Sequence, residues 1–453
     1  MKNKTPRFST KSLLAAAALA LIAVPAEAAT YTSLGGDFAP PLGNGTDVSN
    51  FTLSTTESLE INALVSDGYT DSNPFQLTGT ISATVADNVI RKTGDGVAIL
   101  KGLNYLGGTV FVEAGGLGIS ALNPLSYAKI TVADGATVTA FGVDIPTLGD
   151  VTLAGTFVSA SGTNTVGTLI LSDAATVKTD VGLDVTTLSL ALKTLAITGA
   201  GNLTVTTSND AKDIVKVGLG TAALGTLTLG DNAIFTVNAG ALTAGALDLN
   251  TKSLTITGAA NFTATSTNAN ANITKNGTGT AALGALTISG ATVEMKVDGS
   301  GNLSATSTAL GVNTINKTGT GSGVLALGNL SGTGVLNVDF GTASVGAGTN
   351  SAATVGVDSG ATLTLASDTG SAALTGNVTI AGAGAAGQGG ALVSSTGTNT
   401  VDTLILSDGA TVKTDVGLGV TTLTLAQKTL AITGAGNLTV TTSNNAKDIT
   451  KDG

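Results

Sequence analysis

Short segments in which apolar and polar residues alternate recur along most of this chain. Residues 227–229 read Leu-Thr-Leu, and residues 254–257 read Leu-Thr-Ile-Thr. Successive side chains of a β-strand point to opposite faces, so the alternation predicts strands with Leu, Ile and Val inside and Thr outside. Gly- and Asn-rich clusters separate these segments and predict turns, because both residues tolerate positive φ.

The alternating segments belong to internal repeats. Residues 162–218 recur as residues 397–453 with eight differences, which indicates a recent duplication. The second copy stops where the first continues, so we expect the chain to be part of a longer one. Several shorter units contain a Lys-x-Gly-x-Gly motif, which occurs at residues 92–96, 216–220, 275–279 and 317–321.

Repeats of this kind predict a stacked all-β fold. A strand of three to five residues with one apolar face cannot bury that face alone, whereas units that coil and stack bury a continuous core. We therefore predict a β-solenoid over residues 86–453, with residues 29–85 as an N-terminal cap and irregular first coils. Small Ala, Val and Leu suit a thin core, and large aromatic residues do not. A row of β-sandwiches is the alternative, but it needs a bulky core, and 4 Tyr and 10 Phe are too few for one.

The first 28 residues have the order of a secretory signal peptide. An apolar run over residues 13–24 follows a basic start and precedes small residues, so we predict cleavage between Ala28 and Ala29. The run has about 12 residues, whereas a membrane span needs about 20. We expect an exported protein, found at the cell surface or outer membrane or outside the cell. The basic residues are Lys2, Lys4, Arg7 and Lys11.

Composition excludes several classes of function. The chain has no His and no Cys, which excludes a His-based catalytic triad, a Cys nucleophile, the common zinc sites and disulfides. Its 20 Lys and Arg against 30 Asp and Glu argue against a nucleic-acid interface. We predict no enzymatic activity, no catalytic residue, no cofactor and no metal site.

Three recurring patterns could suggest ligand sites, and each has a simpler interpretation. Lys-x-Gly-x-Gly lacks the Lys-Ser/Thr and the helix of a phosphate-binding loop, so we interpret it as a turn. Asn-x-Thr, as at Asn202, Asn261 and Asn437, is interpreted as a turn Asn before a strand, with stacked Asn side chains forming a ladder. The Asp residues lack the tandem Gly-Gly-x-Gly-x-Asp of calcium-binding β-rolls. We expect these to be solvated turn residues: Asp173, Asp180, Asp231, Asp298 and Asp408.

Residues 92–117 carry the most specific pattern of the chain. A Lys-x-Gly-x-Gly motif is followed by alternating apolar residues, by Gly-Leu-Asn-Tyr-Leu-Gly-Gly-Thr and by a strand with Gly-x-Leu at its end. This pattern resembles the autotransporter-associated β-strand repeat, and the later copies resemble it more weakly. The positions that carry the resemblance are Lys92, Gly94, Gly96, Gly102, Asn104, Tyr105, Gly107, Gly108, Thr109, Gly115 and Leu117.

The resemblance implies a right-handed parallel β-helix displayed outside a Gram-negative cell as an autotransporter passenger. It also implies a C-terminal barrel in the outer membrane, which would lie beyond this chain. We expect an adhesive or structural fibre that contacts a host surface or a neighbouring cell, with possible self-association. The alternatives are a coat protein like those of S-layers and, less favoured, a β-helix enzyme that acts on polysaccharides.

Overall fold

The computed structural model is built of β-strands and turns throughout the residues it describes. Within them, no helix is long and apolar enough to cross a membrane. The predicted signal peptide and its cleavage site at Ala28 and Ala29 lie outside the described residues. The structure describes residues 30–32, 36–38, 46–47, 50–52, 58–62, 75–77, 81–83, 88–101, 105–120, 129–141, 148–352, 354–365, 370–445 and 447–452.

The chain divides into two compact units. Unit 1 comprises residues 1–209 and 217–224, and unit 2 comprises residues 210–216 and 225–453. This division does not coincide with the boundary at residue 85 that the sequence suggests. Of the predicted cap, the structure describes short strands that pair in parallel with one another, and the boundary itself stays a prediction.

Unit 1 contains twenty-two described strands, numbered here in chain order, and the last two residues of β21 belong to unit 2. The strands are β1 (Thr30–Thr32), β2 (Gly36–Phe38), β3 (Thr46–Asp47), β4 (Asn50–Thr52), β5 (Ser58–Asn62), β6 (Phe75–Leu77), β7 (Ile81–Ala83), β8 (Val89–Thr93), β9 (Val97–Leu100), β10 (Tyr105–Leu106), β11 (Thr109–Val112), β12 (Gly116–Ile119), β13 (Lys129–Val132), β14 (Thr137–Phe141), β15 (Leu148–Leu153), β16 (Thr156–Ser161), β17 (Asn164–Leu171), β18 (Ala175–Thr179), β19 (Leu183–Ser189), β20 (Leu195–Thr198), β21 (Leu203–Ala211) and β23 (Thr221–Ala223).

Unit 2 contains the remaining described strands. They are β22 (Ile214–Lys216), β24 (Thr226–Leu229), β25 (Ala233–Val237), β26 (Ala241–Asp248), β27 (Leu254–Thr257), β28 (Asn261–Ala269), β29 (Ile273–Lys275), β30 (Ala281–Ala282), β31 (Ala285–Ile288), β32 (Thr292–Val297), β33 (Leu303–Ser304), β34 (Ser307–Gly311), β35 (Thr314–Thr318), β36 (Val324–Ala326), β37 (Asn329–Gly332), β38 (Val335–Val338), β39 (Gly341–Val345), β40 (Gly348–Asn350), β41 (Thr354–Val357), β42 (Ala361–Leu365), β43 (Ala372–Gly382), β44 (Leu392–Ser394), β45 (Thr398–Thr414), β46 (Gly417–Thr424), β47 (Leu430–Thr433), β48 (Asn437–Asn444) and β49 (Ile449–Asp452).

Strands of successive coils pair in parallel and form columns. In unit 1, β11 pairs with β8 of the preceding coil and with β13 of the following one. A second column runs through β9, β12, β14, β16, β18 and β20. A third consists of the described strands β1, β4, β7 and β10. In unit 2, one column runs through β25, β27, β29, β32, β35, β38 and β41.

Each unit is therefore a parallel β-solenoid, and the two together make about 17 turns. The predicted all-β solenoid is confirmed. Strands of a β-sandwich pair in antiparallel fashion, and every pairing within the described columns is parallel, so the alternative is wrong. The right-handed coil stays a prediction, which rests on the handedness of nearly all crossovers between parallel strands.

The core has the alternating pattern that the sequence predicts, with one exception. Strand β27 buries Leu254 and Ile256, and its two Thr residues are more exposed. The expectation that large aromatic residues do not suit the core is wrong at four positions, because Phe75, Phe157, Phe235 and Phe262 are fully buried. The rings of Phe235 and Phe262 lie 5.7 Å apart, so two bulky side chains fill the interior together. Small neighbours such as Ala281, in register with Phe262, leave room for them.

Replacing Phe262 with Ala tests the contribution of these rings. We expect the variant to lose about 3–5 kcal/mol of the free energy of unfolding, because it loses buried apolar surface and leaves a cavity. Urea titration followed by circular dichroism measures the loss. Thr263→Ala, an exposed neighbour on the same strand, is the control and should change stability by less than about 0.5 kcal/mol. Equal effects of the two changes would contradict the assigned packing.

Candidate functional site

The Lys-x-Gly-x-Gly motifs form corners between strands, here called the lysine corners. Lys92, Lys216, Lys275 and Lys317 each stand at or next to the end of a strand and begin a turn. All four side chains have 1% or less of their surface exposed, and they are among the largest buried side chains of the protein. The sequence interpretation of the motif as a turn agrees with this placement, but it did not predict that the Lys would lie inside.

The ammonium groups of Lys92 and Lys317 bond to backbone carbonyl groups of two consecutive turns. Lys92 Nζ donates to the carbonyl oxygens of Thr93 (2.7 Å) and Gly94 (2.8 Å) in its own turn, and of Ala114 (3.1 Å) in the next coil. Lys317 Nζ does the same with Thr318 (2.8 Å) and Phe340 (2.9 Å). The side chain thus ties the turns of adjacent coils together.

Burial changes the acidity of these groups. Burial lowers the pKa of Lys92 to about 8, against the attraction of the Asp95 carboxylate. It also lowers the pKa of Lys317 to about 8, against the attraction of Asp298 and Asp339. The pKa values of Lys216 and Lys275 fall for the same reason. With Nζ of Lys92 and Lys317 enclosed and bonded to carbonyl oxygens, these groups are not presented to an anion such as phosphate.

Glycine is required where the turns of adjacent coils stack. Gly115 has a φ of +63°, and a Cβ on it would overlap the carbonyl oxygen of Gly96 in the preceding coil. A Cβ on Gly108 would likewise overlap the carbonyl oxygen of Asn88. Gly108 and Gly115 of the family-like pattern are therefore positions of direct contact between backbones.

The other residues of the family-like pattern also take structural positions, where the structure describes them. Leu117 is fully buried, and Thr109 begins β11, where its N–H donates to the carbonyl of Asn88 at 2.9 Å. Tyr105 begins strand β10. Gly94 and Gly96 lie in the bend after β8, and Gly107 and Gly108 lead into β11. Gly102 and Asn104 lie outside the described residues. The residues of the pattern that the structure describes thus serve packing and backbone contacts between coils.

A second buried polar feature was not recognised in the sequence. Three Gly-Thr-Asn sequences end in Asn164, Asn350 and Asn399, which lie at or near a strand end, and each Asn is fully buried. Asn399 Nδ2 donates to Ser394 Oγ (2.8 Å) and to the Thr396 carbonyl (2.9 Å), and its Oδ1 accepts the N–H of Ala372 at 2.7 Å. The recurrence of Gly-Thr-Asn in the sequence was the available signal. It could not show burial, because Asn is a common residue of exposed turns.

The Asn residues of the Asn-x-Thr sequences bond mainly to backbone. Oδ1 of Asn202 accepts the N–H of Thr221, and Oδ1 of Asn261 accepts the N–H of Thr280, both at 2.9 Å and from the next coil. Each Asn side chain thus bonds to the backbone of the following coil, which agrees with the interpretation of these Asn residues as turn residues before a strand. A direct bond between stacked Asn side chains occurs between Asn316 and Asn337 (3.0 Å). The predicted Asn ladder therefore combines bonds from Asn side chains to backbone with a bond between two Asn side chains.

The Asp residues named in the sequence lie at turns and strand ends. The carboxylates of Asp173, Asp231 and Asp408 each accept the N–H of the following residue at 2.8 Å. Asp180 and Asp298 pair with Lys residues two positions earlier. Among the described residues, no group of three or more His, Cys, Asp or Glu is placed to hold a metal ion.

Pairs of Thr side chains form the most regular polar surface, here called the threonine rows. In β19 and β21 two consecutive residues between buried ones both face outward, so the strand bends there instead of alternating. Thr187 lies in register with Thr207, and Thr422 lies in register with Thr442. The rows consist of Thr186, Thr187, Thr206 and Thr207 in unit 1, and of Thr421, Thr422, Thr441 and Thr442 in unit 2.

Comparison with known proteins adds no assignment to these features. No protein-family model, no curated protein and no solved structure matches the chain. The described fold agrees with a repeat of the autotransporter-passenger kind. The resemblance to that family rests on the residues of the 92–117 pattern alone.

Substitution of Lys317 with Met tests the lysine corner. Met keeps most of the apolar stem but leaves two carbonyl groups without a donor, so we expect a loss of about 1–3 kcal/mol in the free energy of unfolding at pH 7. Urea titration measures the loss. Lys296→Met is the control, because its side chain is 43% exposed and pairs with Asp298 at the surface. The control should lose clearly less stability than Lys317→Met, because a solvent-exposed ion pair contributes little.

The same pair of variants tests the pH dependence. The pKa of Lys317 is about 8 in the folded chain and returns to about 10.5 on unfolding, so between these values the unfolded chain binds more protons. Stability contributed by this group therefore rises as pH increases from about 8 to 10.5. The stability difference between the wild type and Lys317→Met should widen across this window. A difference that narrows would show that the charged form is the favoured one in the fold.

Replacement of Asn399 with Ala tests the Gly-Thr-Asn turn. The change removes a buried amide that makes hydrogen bonds in two coils, so we expect a loss of about 1–3 kcal/mol in the free energy of unfolding. Thr398→Ala, at the exposed neighbouring position, should stay within about 0.5 kcal/mol of the wild type. Denaturant titration of both variants provides the comparison, and equal stability of the two would be contrary to the assigned role.

Proposed function

We propose that the chain is an exported bacterial surface protein that acts as an adhesive or structural fibre of the autotransporter-passenger kind. The stacked polar surface of the solenoid is the main support. Its threonine rows repeat a neutral hydroxyl pair at the spacing of adjacent strands, about 4.8 Å. The signal-like segment of residues 1–28 and the 92–117 pattern support the export route.

The chemistry of the rows suits weak binding repeated many times. A Thr hydroxyl both donates and accepts a hydrogen bond, so a row of them can meet hydroxyl- or amide-rich surfaces without matching charge. Each contact is weak, but contacts repeated along one chain act together by multivalency. Such a surface fits a host or neighbouring-cell coat better than one small ligand. The absence of enzymatic activity stays a prediction.

Display of the chain on a non-adhesive bacterial strain tests this proposal. Cells that carry the wild-type chain should clump or attach to a coated surface. A Thr→Val variant keeps the β-branched shape but removes one hydroxyl group from each Thr pair of the rows. We expect it to reduce clumping or attachment several-fold. The four substitutions are at Thr186, Thr206, Thr421 and Thr441.

A matched control separates the rows from the surface in general. It carries Thr→Val at four other exposed positions and should adhere like the wild type: Thr204, Thr263, Thr265 and Thr439. Equal display of all variants is checked with a surface antibody. Wild-type cells that neither clump nor attach would count against adhesion. Equal losses in both variants would count against the rows as its site.

A structural coat is the second candidate, and exposed apolar side chains favour it. Leu219 is 78% exposed, Val312 is 81% exposed and Phe340 is 54% exposed, all of them in turns. Apolar turn residues provide contacts for side-by-side packing of solenoids. A coat predicts ordered two-dimensional arrays of the purified chain in electron micrographs, whereas an adhesin predicts dispersed particles.

A further inference from the structure

The lysine corner at residues 275–279 contains the dipeptide Asn276-Gly277, whereas the other three lysine corners have Thr or Val before this Gly. Asn-Gly also occurs at residues 44–45, which lie outside the described residues. In such a pair the backbone nitrogen of Gly can attack the side-chain carbonyl carbon of Asn, because Gly carries no side chain that would obstruct the approach. The geometry of the corner decides whether the two groups are held for that reaction.

The side-chain amide of Asn276 lies against the nitrogen that would attack it. The N–H of Gly277 donates to Asn276 Oδ1 at 2.8 Å. The N–H of the next residue, Thr278, instead donates to the Gly258 carbonyl of the preceding coil at 3.2 Å. The Gly277 nitrogen is thus directed at the side chain, and the fold holds the reacting groups together before any reaction begins.

The ammonium group of Lys275 bonds to the peptide group that contains this nitrogen. Lys275 Nζ donates to the carbonyl oxygen of Asn276 at 2.7 Å, and Lys275 is 1% exposed. A peptide N–H loses its proton more readily when a positive charge is bonded to the oxygen of the same group, because the resulting anion is shared between nitrogen and oxygen. Lys275 therefore activates the Gly277 nitrogen as a nucleophile.

The stacked backbone leaves room for only one of the two acids that this attack can produce. A Cβ on Gly277 would overlap the carbonyl oxygen of Gly258, and a Cβ on Gly299 of the following coil would overlap the carbonyl oxygen of Gly277. Isoaspartate would lengthen the backbone by a methylene group, for which this packing has no space. Aspartate fits, because a carboxylate oxygen of Asp408 accepts the N–H of the following Gly409 in the same way, at 2.8 Å.

A carboxylate at position 276 would also give Lys275 a feature that another lysine corner has. Burial lowers the pKa of Lys92, and the nearby Asp95 carboxylate opposes that change. Burial likewise lowers the pKa of Lys275, and a negative charge at position 276 would oppose it. The product of the reaction is therefore compatible with the buried ammonium group.

We propose that Asn276-Gly277 is a self-modification site, at which the folded chain converts Asn276 to aspartate with water as the other reactant. The Gly277 nitrogen gives its proton to hydroxide and bonds to Cγ of Asn276. The bond from Cγ to Nδ2 then breaks, and Nδ2 takes a proton from water and leaves as ammonia. Water opens the succinimide ring between Cγ and the Gly277 nitrogen, which returns a proton to that nitrogen and leaves a carboxylic acid that ionises. The inference is independent of adhesion, because it concerns a covalent change within a corner.

Mass spectrometry of the full chain tests this proposal, after incubation at neutral pH and digestion with pepsin at low pH. We expect peptides containing Asn276 to gain the mass of an amide-to-acid conversion with time, with more aspartate than isoaspartate. Lys275→Met should slow the conversion several-fold, because it removes the ammonium from the Asn276 carbonyl. Lys252→Met is the control, since it removes a partly exposed Lys of the preceding coil, and it should convert Asn276 like the wild type.

The chain unfolded in urea is the reference in which the contacts of the corner are absent. There the wild type and Lys275→Met should convert Asn276 at the same rate, and isoaspartate should also form. The folded wild type should convert Asn276 faster than the unfolded chain. A folded wild type that converts no faster than in urea, a folded Lys275→Met chain that converts as fast as the wild type, or isoaspartate as the main product of the folded chain would overturn the proposal.

Discussion

The parallel hydrogen-bonded ladder between successive coils is the constraint on which the rest of the structure depends. Strands such as β29, with three residues, have too little apolar surface to be stable alone. Their inward residues become a core only when the next coil lies on top of them. Register must therefore be kept from coil to coil, because a shift by one residue would turn every Leu outward.

Register is held at the corners as well as in the strands. The buried ammonium of Lys92 or Lys317 bonds to turns of two coils, and the amide of Asn399 does the same with different partners. A buried charge or amide is costly unless its partners are in place. Leaving these groups without partners therefore costs more free energy than their bonds contribute in the correct arrangement, so they disfavour a misplaced coil. They occur where the backbone leaves the ladder.

The regular interior leaves the outer surface free to vary. Outward positions of the same strands carry Thr, Ser, Asn and Asp in the two copies of the duplicated segment, while inward Leu, Val and Ile are kept. A solenoid built in this way presents similar polar side chains on successive coils.

The sequence by itself determined the all-β class, the coil repeat, the positions of turns and most of the core, because alternation and Gly spacing are local properties. Four buried Phe, the enclosed Lys side chains and the buried Asn399 were decided only by the tertiary structure. The sequence identifies Lys317 only as a polar residue. Its burial depends on the carbonyl groups of Thr318 and Phe340, 1 and 23 residues later in the chain. The outward position of both Thr residues in a pair was likewise decided by the tertiary structure, because strict alternation predicts that only one of the two faces outward.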